Sequence, residues 1–335
     1  MTSSRFILLT GAGFSHNFGV PLANELWASI INHGAIQNAQ RVRNAVLSDF
    51  DFESVYHRIM VGDYSLGEKS AMARGVEDAY AYVDEIIRSW GAGTDSPYPI
   101  DVYKVQEMIA RFAGTNAEPG FFFTLNQDLF VERYYYNGLR PHLPGIRQHT
   151  NKWFTNNFIG RLQDEDYVTL PDSEAIQRES PFFEKVGFYY LKLHGSSNWR
   201  SADRTRRMVI GHDKDEQIST EPLLSWYFEV FTRVLSEGNR RLLVIGYSFR
   251  DSHVNKIIAK AIQNHGLRLF VMTPEPPASL HDRLCQNESG QEIWSGLGGY
   301  YPLGLLRMFP ENQLQTPEWD AVKDQYFQRP GRKSF

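Results

Sequence analysis

The chain has 335 residues, enough for one large domain carrying an insertion, or for two domains, around a sizeable core. Its 35 Lys and Arg against 39 Asp and Glu leave a net charge of −4, which argues against nucleic-acid binding as the main task. A single cysteine, Cys285, excludes an intramolecular disulfide framework and any four-cysteine zinc site, and points to a reducing, cytoplasmic setting.

The opening MTSSRFILLTGAG lacks a secretory pattern, because its apolar run from Phe6 to Leu9 is short and enters a glycine turn. No stretch approaches the ~20 apolar residues of a membrane helix. The first strand is expected at Phe6 to Thr10, followed by the glycine turn and a helix from about Leu22 to His33 with Pro21 near its first turn. Residues 35–118 carry helical spacing and no strong strand signal. Helices are expected at Phe52 to Met60, at Ser70 to Trp90 and at Val102 to Phe112, with GAGTDSPYP (Gly91 to Pro99) as a loop. The sheet resumes at Phe121 to Thr124, with a helix near Leu129 to Tyr136; residues 138–186 read as irregular. A third strand at Tyr189 to Leu193 precedes a polar stretch, then a helix from Leu223 to Ser236 and a fourth strand at Leu242 to Ile245. A helix at His253 to Asn264 and a strand at Arg268 to Met272 follow; the tail from Pro274 reads as irregular, apart from a possible helix at Ala278 to Gln286. Strands alternating with helices imply an α/β fold: a Rossmann-like, mostly parallel sheet with helices on both faces and a helical insertion.

Four of these strands end in a polar or glycine motif: GAGFS, TLNQD, LHGSSNW and GYSFRD. In open α/β sheets, ligands bind outside the carboxyl ends of the strands. Gly11, Ala12 and Gly13 suit a tight turn that brings backbone amides near phosphate, although position 16 is His rather than the glycine of the dinucleotide fingerprint and no GK[ST] follows. Asn126 and Asp128 can serve a site or cap the following helix. His194 can exchange protons or bond ribose hydroxyls, or be structural; its neighbours Gly195, Ser196, Ser197 and Asn198 read as a small polar loop open to a ligand. Gly246 and Ser248 repeat the pattern, with Arg250 and Asp251 as either cap and solvated charge or site residues. The basic run Arg200 to Arg207 reads as a solvated loop, and His142 with His149 is a weak metal signal.

In this order, GAGFS, GVP (Gly19 to Pro21), TLNQD, KLHG and GYS resemble the sirtuin family (silent information regulator two) across about residues 5–35, 119–136, 186–200 and 241–275. The resemblance implies an NAD-binding domain over residues 1–34 and 119–275, a helical module over 35–118 and a C-terminal extension over 276–335. It makes Asn126, His194 and Asp128 catalytic. Asn126 would position ribose or water, Asp128 would bond the nicotinamide amide, and His194 would contact the ribose hydroxyls and could serve as general base. Gly11, Ala12, Gly13 and Ser15 would hold the pyrophosphate, and Gly246 and Ser248 the adenosine side. The two CxxC pairs of protein-deacylating sirtuins are missing, so no zinc module and no metal are expected.

DFESVYHRI (Asp51 to Ile59), LHGSSNW and GYSFRD look like the bacterial sirtuin-like branch, whose members consume NAD in antiphage defence. That resemblance implies NAD as substrate, cleaved to nicotinamide and ADP-ribose. It also implies a homo-oligomer or a separate partner, such as a HerA-type ATPase or a short Argonaute. A protein deacylase and a non-enzymatic NAD or ADP-ribose sensor are the alternatives.

Overall fold

A computed structural model describes residues 6–89, 99–146, 152–155, 157–158, 160–179, 186–201, 206–208, 214–312 and 315–327. The strands are β1 (Phe6–Thr10), β2 (Gly120–Thr124), β3 (Val168–Thr169), β4 (Phe188–Lys192), β5 (Gly195–Arg200), β6 (Arg206–Met208), β7 (Arg241–Ile245), β8 (Arg268–Met272) and β9 (Leu297–Tyr301). Six of them form one sheet in the order β4-β2-β1-β7-β8-β9, every pair parallel. Numbered by appearance within this sheet, the order is 3-2-1-4-5-6, that of doubly wound dinucleotide-binding folds, and its direction reverses between β1 and β7.

Successive strand residues point to opposite faces. All five residues of β2, β4 and β7 are buried, so both faces of the sheet are covered. The runs FFF, YYL and LLVI are the near-continuous apolar sequences that a two-sided parallel strand demands. The expected strands and most expected helices occur close to their anticipated positions. Helices cover Ala23–Ile31, Phe52–Val61, Leu66–Ser89, Val102–Ala110, Pro222–Ser236 and Ser252–His265. Among the described residues no strand lies between 35 and 118, and this helical stretch is tied by ion pairs to the helices Phe130–Tyr134 and Lys214–Thr220. Asp84 on Leu66–Ser89 meets Arg133 through two bonds of 2.9 Å, and Glu53 on Phe52–Val61 meets Lys214 at 2.9 Å.

Three expectations are corrected. Residues 195–198 are not an open polar loop but most of β5, which pairs with β3 and β6 in a second, three-stranded sheet. Ser196 and Asn198 are fully buried; Ser196 Oγ donates to Asn198 Oδ1, and Asn198 Nδ2 donates to the Asp166 carbonyl. The basic run is likewise part of this sheet at both ends, in β5 and β6, and Arg200 stacks on Tyr167 at 3.6 Å; its middle, like the loop at 91–98 and His149, lies outside the described residues. In the tail the expected helix is present at Pro277–Leu284, but the rest is not irregular: a second helix, Glu288–Ser295, leads into β9, which extends the sheet beside β8.

Candidate active site

The loops after β1 and β7 meet at the reversal point. The amide of Gly11 donates to the Ile245 carbonyl at 3.0 Å and that of Gly13 to the Gly246 carbonyl at 2.8 Å. A Cβ on Gly11 would lie 2.8 Å from the Cα of Tyr247, and one on Gly13 would lie 2.8 Å from the Cα of Gly246. Gly246 adopts φ +65°, so three glycines let two backbones touch. The amides of Gly11 and Gly13, expected to face pyrophosphate, are therefore engaged by the end of β7. Ala12 is exposed between them, and Ser248 is exposed on the opposite loop, its carbonyl accepting from Arg283.

Past the strand ends, the β1–β2 pairing continues. Leu125 N donates to the Thr10 carbonyl, Thr10 Oγ1 donates to Thr124 Oγ1 at 2.8 Å, and the same Thr124 hydroxyl accepts from the Asn126 amide at 3.0 Å. These bonds fix Asn126 over the first loop, where its Nδ2 donates to the buried Ser15 hydroxyl at 2.9 Å. Among the described residues Asn126 Oδ1 has no hydrogen-bond partner, so one end of the carboxamide is pinned and the other is left to accept from solvent or a ligand. Asp128 behaves as a cap: its Oδ1 accepts from Phe130 N at 2.9 Å. Gln127, which sequence reasoning passed over, ties this loop to the next, its Nε2 donating to the His194 carbonyl and its own carbonyl accepting from Ser197 N.

His194 follows β4 and is 4% exposed. Its Nε2 lies 3.0 Å from Nε2 of His253, and the ring of Phe228 lies against both imidazoles, at 6.5 and 5.4 Å between centroids. His253 comes from the first turn of Ser252–His265, the helix after the β7 loop. That loop contains Phe249 at φ +55°, a conformation stabilised where Asn255 Nδ2 donates to its carbonyl at 2.8 Å. Asp251, read from the sequence as either a cap and solvated charge or a site residue, makes no side-chain capping bond; its Oδ1 accepts from Lys214 Nζ at 2.8 Å. Lys214 also holds Glu53, so a chain of charges runs from the helical module to the two histidines.

Burial pushes the His194 imidazole down to about 3, more than Asp251 restores, and the ring is neutral at neutral pH. Burial would raise the Asp251 carboxyl, but His194 and Lys214 outweigh it and hold the group below its usual range. Burial would lower Lys214, but Glu53 and Asp251 more than offset it. Burial wins at Glu53, whose carboxyl is raised despite Lys214. The ligand atoms of His194, Asp251 and His253 all lie within 4.8 Å of one another. No HxxxH spacing announces this group; the Asp-x-His at the start of Ser252–His265 is its one sequence signal.

The SIR2-like domain model matches residues 120–294, just over half of the chain and the stretch that carries Asn126, His194 and Gly246. The chain belongs to the SIR2-like domain family. No curated protein matches it. SIR2-like domains use NAD, in keeping with the reversal point between β1 and β7. The four-cysteine zinc module of the deacylating members does not fit here, since Cys285 stands alone. Among the described residues no helix is long and apolar enough to cross a membrane.

Proposed function

We propose that this SIR2-like chain hydrolyses NAD to nicotinamide and ADP-ribose. The observation that carries the proposal is Asn126, fixed through its Nδ2 on Ser15 beside the glycine loop with its Oδ1 left as an acceptor. In the reaction the bond between ribose C1′ and the nicotinamide nitrogen breaks, its electron pair leaves with the neutral ring, and water adds to the cationic ribose and gives a proton to solvent. Asn126 Oδ1 is suited to hold that water or a ribose hydroxyl. The low pKa of His194 makes it a poor general base near neutrality, so its role is to orient ribose hydroxyls by hydrogen bonding. Ala12 and Ser248, exposed on the two touching loops, are the candidates for contacts to the pyrophosphate and the adenosine side.

Antiviral defence by NAD depletion, triggered through a homo-oligomer or a partner such as a HerA-type ATPase or a short Argonaute, extends the proposal; its support is the resemblance of the motifs. The test is nicotinamide and ADP-ribose release from NAD by the purified chain, alone and with the product of a neighbouring gene. Asn126→Ala and His194→Ala are each expected to lose about 10²-fold or more of the rate, the cost of losing a contact that orients the reactants, with unchanged circular dichroism. A folded His194→Ala chain with normal turnover would sink the assignment.

A further inference from the structure

We propose that His194, His253 and Asp251 form a binding site for one divalent first-row metal ion. The three side chains come from two elements and are not an acidic cluster; two of them are imidazoles, the ligands suited to first-row ions such as iron, cobalt and nickel. The two Nε2 atoms lie 3.0 Å apart, less than the ~4.2 Å span of two metal–nitrogen bonds, so one ion reaches both once the rings turn toward it. Two histidines and one carboxylate leave open positions for solvent or substrate.

The surroundings fit a cation. Lys214 bonds Asp251 through Oδ1 at 2.8 Å, and Glu53 gives the ammonium a second partner at 2.9 Å. Two carboxylates and one ammonium sum to one negative charge before the ion enters. Lys214 then acts as an outer partner that orients the ligating carboxylate. Asp251 closes on the ion by side-chain rotation from its present position within 4.8 Å.

Resting on the proposed NAD hydrolysis, the same geometry implies inhibition: an ion on His194 Nε2 occupies the atom that would bond ribose. The experiment uses untagged, chelator-stripped full-length chain titrated with Co²⁺, read by calorimetry and by the visible absorption of bound cobalt. One ion per chain is expected for the wild type, with affinity weakened about tenfold or more in His253→Ala and Asp251→Asn, both checked for folding by circular dichroism. A wild type without stoichiometric uptake, or a folded His253→Ala that binds as tightly, overturns the site. NAD turnover is then followed across the same titration and should fall with the binding midpoint; full turnover at saturating cobalt overturns the inhibition. Stoichiometric binding to a chain that never cleaves NAD keeps the metal site and removes the hydrolase reading.

Discussion

His194 shows how one buried side chain couples the site to stability. Its pKa is about 3 in the folded chain against 6.5 when exposed. Between those values the unfolded chain takes up a proton that the folded chain refuses. The stabilisation is therefore complete above pH 6.5 and is lost as pH falls toward 3, at about 1.4 kcal/mol per pH unit for one proton. Urea unfolding of His194→Gln, compared with wild type between pH 6.5 and 4 in chelator, should show a slope shallower by roughly one proton; parallel curves would mean that the imidazole is not held neutral by the fold. At this scale the motifs GAG, NQD, HG and GYS were legible as neighbours in space. The uses of individual atoms were not. That Gly11 and Gly13 spend their amides on β7, and that Ser15 is taken by Asn126, depends on which strands lie side by side. His253 and Lys214 escaped because each sits on a helix that brings it to His194 or Asp251 only after folding.

At the scale of elements, the join between β4 and the helix Phe130–Tyr134 is a buried ion pair. Lys192 Nζ meets Glu132 Oε1 at 2.7 Å, both side chains 0% exposed, and the same ammonium donates to the Asp128 carbonyl. Burial raises the Glu132 carboxyl even against Lys192, so the pair stands in a strongly desolvated place. Its net worth over an apolar pair is small, but breaking one side leaves a charge uncompensated. Glu132→Gln should cost about 3–5 kcal/mol in chemical denaturation, while Glu132→Leu with Lys192→Met should recover most of that loss; a single mutant within 1 kcal/mol of wild type would refute the view that the pair is locked. The parallel strands were legible because two-sided burial demands apolar runs. β5 was not, because GSSNW buries small polar groups whose partners, such as the Asp166 carbonyl, are remote in sequence.

The whole molecule is closed by its own tail. The hydroxyl of Tyr326 accepts from Ile7 N at 3.1 Å and lies 2.9 Å from the carbonyls of both Ile7 and Arg241, so one buried side chain bonds the edges of β1 and β7 at the end opposite the site. Its ring packs against Phe6, Phe112 and Phe270. Arg241 answers by donating to the carbonyls of Gln325 and Tyr326. Sequence periodicity does not announce this closure, because the turn Lys323–Phe327 is too short to show a repeat and its bond to Ile7 spans 319 residues of chain. The two central strands that carry the glycine loops are thus clamped at their amino ends by residues from the far terminus. Tyr326→Phe keeps the ring and removes the hydroxyl, leaving the Ile7 amide without that partner, and should cost about 1–3 kcal/mol in urea unfolding. Tyr326→Ala removes the ring as well and should cost at least as much as a large-to-small core change, about 3–5 kcal/mol. Because the clamp is remote from Asn126 and His194, the Phe variant should leave NAD turnover unchanged at temperatures where it is folded. A Phe variant as stable as wild type would show that the tail lies on the sheet without holding it.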